Sequence, residues 1–207
     1  VLTVNNLEVS KNDTILFSKL KFQLKKQQLL YIKGGNGIGK TTLLRTIANL
    51  NNVFSGSIDW NNQDISVNSE YHNSMEFIGH NPALKLELNA IDNIIWRNKL
   101  YLKPKLQQQT IITALDFLGI AELAYTPCGL LSAGQLRKVS LSSLLVNGNQ
   151  LWILDEPFTA LDTTGISKIN LLLQQHLQQN GMAIISSHQS IANIPVTTQT
   201  INLEDYC

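Results

Sequence analysis

The stretch Gly34-Gly35-Asn36-Gly37-Ile38-Gly39-Lys40-Thr41, followed by Thr42, fits the pattern G-x-x-x-x-G-K-[ST]. Glycines at this spacing let a chain curl its backbone amides around the β- and γ-phosphates of a nucleotide, and a helix opening behind them adds its positive end. Lys40 supplies a mobile point charge for the terminal phosphates, and the Thr41 hydroxyl is a hard oxygen ligand for Mg²⁺. The alternative is a chance glycine-rich turn. The flanks favour phosphate chemistry: the apolar run Leu29–Lys33 precedes the loop, and Thr41–Leu50 follows with Leu43, Leu44, Ile47 and Leu50 at helical spacing.

A second constellation closes the apolar run Leu151-Trp152-Ile153-Leu154 with Asp155-Glu156. A buried parallel strand delivers its last residues to the carboxyl edge of a sheet, where ligands bind. Asp155 can there hold Mg²⁺, commonly through water, and Glu156 can orient an attacking water and accept its proton. Alone, such a pair is equally a helix cap. The third element is Leu131-Ser132-Ala133-Gly134-Gln135. Read locally it is a helix N-cap that Gln135 closes as a capping box. The same geometry aims a hydroxyl, free amides and a helix dipole outward, ready for an anion, and the two readings are compatible.

These residues must be held by a scaffold, and the rest of the chain predicts one. The 207 residues suffice for one large domain or two small ones. Charged residues make up 15%, and 16 Lys and Arg against 15 Asp and Glu leave a net charge of +1. That balance argues against a protein that neutralises a nucleic-acid backbone, so no nucleic-acid partner is expected. No apolar run reaches the ~18 residues that would span a bilayer, and Val1 to Asp13 has no leader-like pattern. Cys128 and Cys207 are too few and too distant for a disulfide framework or a zinc site.

Leu2–Val9, Thr14–Phe17 and Lys21–Leu24 alternate as short strands of an antiparallel layer with one wet face. Leu151–Leu154 and Ala183–Ser186 read as buried parallel strands around an amphipathic helix near Ile166–Gln179. From Asn89 to about Leu145 the pattern is helical, with capping-box starts at Asn89-x-x-Asp92 and Ser132-x-x-Gln135. The expectation is one α/β domain: residues 1–88 and 147–207 form the core and β layer, and about 89–146 form an inserted helical subdomain.

In order along the chain, these motifs resemble those of the ATP-binding cassette family, and the resemblance covers essentially the whole sequence. It adds Thr159-Ala160-Leu161-Asp162 as the D-loop and His188 in Ser186-Ser187-His188 as the switch histidine. The resemblance implies a P-loop NTPase of the cassette type, a mixed sheet with an antiparallel β layer, that binds ATP and Mg²⁺. It also implies a head-to-tail homodimer in which Ser132, Gly134 and Gln135 reach the partner's nucleotide, joined by Asp162, with Glu156 as base and His188 as sensor of the γ-phosphate. The family's Q-loop glutamine falls at His80 in Ile78-Gly79-His80-Asn81-Pro82, which would adjoin the Mg²⁺ of Thr41 and Asp155. An adenine-stacking aromatic, expected near Glu8–Thr14, is absent.

Finer details resemble one subfamily, the ATP-binding subunits of the haem exporter of bacterial cytochrome c maturation: Gly56-Ser57-Ile58-Asp59-Trp60, His80 followed by Pro82-Ala83-Leu84-Lys85, the alanine at 133, and Trp152 to Asp162. That implies a peripheral subunit on the cytoplasmic face of the inner membrane, energising a separate multi-span membrane subunit. It would dock between the Q-loop and the helical subdomain, where Leu84, Leu86, Leu88, Ile91, Ile94, Ile95 and Trp96 cluster. A soluble cassette ATPase of iron–sulfur cluster assembly is the alternative. Cassettes that act on nucleic acid carry tandem domains, long inserts or basic arms not seen here, and Glu156 argues against a clamp that binds ATP without turnover. Without an aromatic face for the base, selectivity for ATP over GTP should be modest; a nucleotide competition assay with strong ATP preference would overturn this.

Overall fold

The computed structural model describes residues 1–11, 14–52, 55–100, 105–187 and 197–207. Three strands, β1 (Leu2–Lys11), β2 (Thr14–Leu24) and β3 (Gln28–Lys33), lead to helix α1 (Lys40–Ile47). Strands β4 (Ser55–Trp60) and β5 (Gln63–Asp64), helix α2 (Ser69–Ser74) and strand β6 (Met75–Ile78) follow. Helices α3 (Ala90–Leu100), α4 (Gln108–Phe117) and α5 (Ala133–Val146) come next. Strand β7 (Leu151–Asp155), helix α6 (Thr163–Gln178), and strands β8 (Met182–Ser186) and β9 (Thr197–Asn202) end in a 3₁₀ turn at Leu203–Tyr206.

The strands sort into two sheets, an antiparallel one in the order β2-β1-β4-β5 and a parallel one in the order β6-β7-β8-β3-β9. The runs Thr14–Phe17 and Lys21–Leu24, expected as separate strands, are one strand of 11 residues. Lys19 has φ 57, and the register slips between Leu7↔Leu20 and Val9↔Phe17. A bulge absorbs the break in alternation without ending the pairing.

The central strands of the parallel sheet, β3, β7 and β8, are apolar on both faces, as crossover helices require. Successive residues of its strands enter two different clusters: Leu151 and Ile153 with Met182 and Ile184 on one face, Trp152 and Leu154 with Ala183 and Ile185 on the other. The first face is covered by the antiparallel sheet and α1, the second by α3–α6. The helices between 90 and 146 therefore have no separate core; they share one with the sheet. A polar tie reinforces this. Glu76 on β6, buried, accepts from Arg97 of α3 (2.9 Å), Ser143 of α5 (3.1 Å) and Asn147 just beyond it (3.1 Å).

Helix ends differ in detail from the sequence reading. Helix α1 begins at Lys40 and stops at Ile47, short of Leu50, because Asn49 turns left-handed at φ 56. Ser132 and Gln135 form a full capping box. Asn89 accepts from the Asp92 amide, but its second bond joins the two side chains, so only half a box forms there. No helix among the described residues is long and apolar enough to cross a membrane.

At the amino edge of the parallel sheet, the His176 ring of α6 stacks on Trp152, with centroids 3.6 Å apart and planes 6° off parallel. Its Nε2 donates to Met182 O at 3.1 Å. Burial pushes the imidazole down to about 4, against the opposing pull of the Met182 and Gln150 carbonyls. The unfolded chain therefore takes up this proton first. Stability owed to neutral His176 is complete above its ordinary pKa and drains away as pH falls through 6.5 toward 4. The loss should be of order 2 kcal/mol, allowing for partial exposure of the ring. Urea unfolding at stepped pH should show this decline, and His176→Phe, which keeps the stack, should flatten it.

Candidate functional site

The site is assembled where β3, β7 and β8 end side by side. After Lys33 the chain loses its strand partners and turns through Gly34, Gly37 and Gly39, at φ 144, 80 and 108. Gly39 is the N-cap of α1 and uses no side chain to cap it, so the first-turn amides stay directed at the loop. A Cβ there would also lie 3.3 Å from Leu16 of β2. The Lys40 side chain folds back into the loop, and its Nζ donates to Gly34 O (2.8 Å) and Gly35 O (2.9 Å).

Asp155 is the hinge of the geometry. It is 1% exposed, and both carboxylate oxygens are bonded across the edge. Oδ2 accepts from Thr41 Oγ1 at 2.7 Å, and Oδ1 from Ser186 Oγ at 2.6 Å. One side chain thus joins β7 to β8 and to the start of α1. The Thr41 hydroxyl keeps lone pairs while it donates its proton. Thr41 and Asp155 therefore present paired hard oxygens, the donor type that Mg²⁺ selects.

Glu156 follows in the left-handed region at φ 49, and its amide donates to Ser186 O (3.0 Å) and Ser186 Oγ (3.1 Å). The turn swings its side chain to a cleft of about 390 Å³ also lined by Asn36, Lys40, Thr41, His80 and Thr159. The sequence-predicted phosphate loop, both carboxylates and His80 therefore meet in one place.

Other expected residues lie elsewhere. Ser132, Gly134, Gln135 and Asp162 are not on the walls of this cleft. Ser132 and Gln135 satisfy each other in the capping box, at 2.8 and 3.3 Å. Asp162 caps α6 by accepting from the Gly165 amide (2.8 Å) and faces Lys138 at 3.4 Å. The Gly165 bond is the main influence holding its carboxyl below the usual range. His188 lies outside the described residues.

Three contributors went unread in the sequence. Ser186 is an ordinary polar strand end until β8 is known to sit beside β7. Glu204, far along the chain, accepts from the Gly35 amide at 3.0 Å and braces the back of the phosphate loop. Leu203 beside it is fully buried, 3.6 Å from where a Gly34 Cβ would stand. Arg137 is 2% exposed in the apolar stripe of α5 with Leu141 and Leu144. A charge at that helical spacing was the available signal.

A phosphate loop at a parallel sheet edge, paired carboxylates, and a capped helix in an inserted helical segment define a nucleotide-hydrolysing cassette. Residues 17–159 match the ABC transporter family, and the chain belongs to that family as an ATPase of the ATP-binding cassette type. Among its relatives is the cytochrome c biogenesis ATP-binding export protein CcmA of Vibrio cholerae, 40% identical over an alignment of 197 positions that covers 92% of each chain. Its fold is shared by a Pyrococcus furiosus protein described as an ABC transporter ATP-binding protein (TM-score 0.85, 26% identity, 99% and 98% of the two chains). It is shared too by the ATP-binding cassette MJ0796, solved as a dimer bound to ADP and Pi (TM-score 0.85, 20% identity, 98% and 94%).

The Glu204 brace gives a direct test. Replacing Glu204 with alanine removes one charge-assisted hydrogen bond to the loop, about 1 kcal/mol, so the KM for ATP should rise about fivefold. Steady-state kinetics beside a thermal melt would check this; an unchanged KM would show that the loop holds its shape without the carboxylate.

Proposed function

We propose that the chain is the energising subunit of a membrane exporter of the kind that serves cytochrome c biogenesis, and that it works as a pair of identical copies arranged head to tail. The observation that carries the hydrolytic part is the Thr41–Asp155–Ser186 chain of hydrogen bonds beside Glu156 at the phosphate loop. The export part is supported by similarity over nearly the whole length to proteins of that name. The pairing is supported by the placement of Ser132, Gly134 and Gln135 away from the chain's own cleft, and by the dimeric cassette that shares the fold.

In this reading, Gly34 to Thr42 bind the nucleotide: loop amides and Lys40 hold its phosphates. Thr41 and Asp155 would hold Mg²⁺, with His80 at the rim of the same cleft. When bound, the ion supplies charge neutralisation along the phosphates. Glu156 orients a water toward the γ-phosphate and takes its proton as the oxygen–phosphorus bond forms and ADP leaves. Ser132, Gly134 and Gln135 of one copy close over the nucleotide of the other, with Asp162 at the same junction and His188 sensing the γ-phosphate. The segment between about 89 and 146 acts as the subdomain that carries this closure.

A membrane partner has a surface to meet. Of the apolar residues expected there, Ile91 and Ile94 are core, while Leu86 is 53% exposed. Leu130 (77%) and Tyr125 (64%) are exposed in the same segment, and Leu86 is tied to it by the Gly129 N to Leu86 O bond of 2.8 Å. Such a patch suits the apolar face of a cytoplasmic loop helix from a multi-span subunit, which would place the chain at the inner face of the bacterial inner membrane.

Glu156→Gln should bind MgATP, lose at least about 100-fold in turnover, and run as an ATP-stable dimer on gel filtration. Normal hydrolysis by this variant would remove Glu156 as the base. Trapped with MgATP in solubilised source membranes, it should co-purify with a multi-span subunit and cytochrome c maturation components. Recovery of soluble iron–sulfur assembly proteins would overturn the export reading.

A further inference from the structure

We infer that Arg137 is a positioning residue that locks helix α5 of this chain to the backbone beneath its own Glu156 and His80, so that the two nucleotide sites of a dimer are set by one guanidinium. A guanidinium has five N–H donors in a fixed plane. Here five carbonyls accept them: Pro157 O from Nε (3.3 Å), Gly79 O and His80 O from one terminal nitrogen (2.6 and 3.4 Å), Asp155 O and Glu156 O from the other (2.8 Å each). The acceptors fall in two segments, 79–80 and 155–157, which carry the rim histidine and both catalytic-edge carboxylates.

Among the described residues, no carboxylate bonds to this buried cation. Its charge is balanced by carbonyl dipoles and by the nearby fields of Asp155 and Glu156, while burial lowers its pKa to about 10. A buried charge so expensive to desolvate suits a site that needs many rigid bonds from one group. The helix it grows from begins at the Ser132 cap, one turn earlier.

The next residues tie the same helix to a third segment. Lys138 reaches Asp162 at 3.4 Å, and a Cβ on Gly134 would stand 2.6 Å from Ala160 O. The first two turns of α5 thus touch the chain at 79–80, 155–157 and 160–162. A displacement of Ser132 and Gly134 must move these segments or break their bonds. If those two residues contact the nucleotide of the opposing copy, as proposed above, Arg137 carries the state of that contact to the chain's own cleft; the inference rests on that reading.

Lysine offers three donors for five acceptors, so Arg137→Lys keeps the charge and loses the geometry. In the full chain, its affinity for a fluorescent ATP analogue should stay within about twofold while kcat falls about 100-fold, the cost of a small misplacement of reacting groups. A kcat within threefold of wild type would overturn the inference, as would a loss of kcat matched by equal losses of affinity and thermal midpoint. Should the variant not fold, hydrogen exchange on the wild-type chain decides. Amides at 79–81, 133–137 and 156–159 should open as one unit, and separate openings would overturn the lock. Gel filtration of Glu156→Gln with MgATP tests the dimer alone: a monomer there would sink the trans-contact reading, while the exchange result still judges the lock within one chain.

Discussion

Asp155 puts a carboxylate almost wholly out of solvent, and such a group survives only if every oxygen finds a donor. Its donors come from two other elements, Thr41 at the mouth of α1 and Ser186 at the end of β8. The parallel register that sets Asp155 opposite Ser186 is therefore a requirement of charge burial as much as of apolar packing. Because the same serine also holds the Glu156 amide, the left-handed turn that aims Glu156 follows from the Asp155 contact. The phosphate loop is anchored through Thr41 by the other oxygen of the carboxylate.

The charges around this edge form a graded set. Lys40 lies in front of the carboxylates within the loop, solvated by Gly34 and Gly35 carbonyls, and Arg137 lies behind them, solvated by five more. Both cations are bonded by neutral carbonyl dipoles. A carboxylate edge is what a hard cation and a water to be deprotonated both need.

The phosphate loop, the carboxylate strand end and the capping box were legible because each is local: glycine, apolar run, carboxylate and cap residues stand within a few positions of one another. The strands β3, β7 and β8 were legible for the same reason, as continuous apolar runs buried on both faces. What stayed hidden depends on which elements become neighbours. Ser186 acquires its role only from the β7–β8 register, and Glu204 only because β9 lies beside β3 and delivers the last turn under the loop. The join of Thr14–Phe17 with Lys21–Leu24 was missed because one lysine at φ 57 shifts the alternation without stopping the strand. Arg137 stands in the apolar stripe of α5, a spacing that signals burial, but nothing in its local sequence names the five carbonyls that meet it across the sheet edge.

The phosphate loop has one more consequence, in the language of entropy. Its lysine is already folded inward onto the carbonyls of the loop's own first residues, and its helix cap, floor and rear brace are supplied by Gly39, Leu203 and Glu204. The loop is thus braced by the chain's own residues. An arriving nucleotide then has little backbone freedom to extinguish. Affinity gained in this way is paid for once, when the protein folds, and is ready at each turnover for the next molecule of ATP.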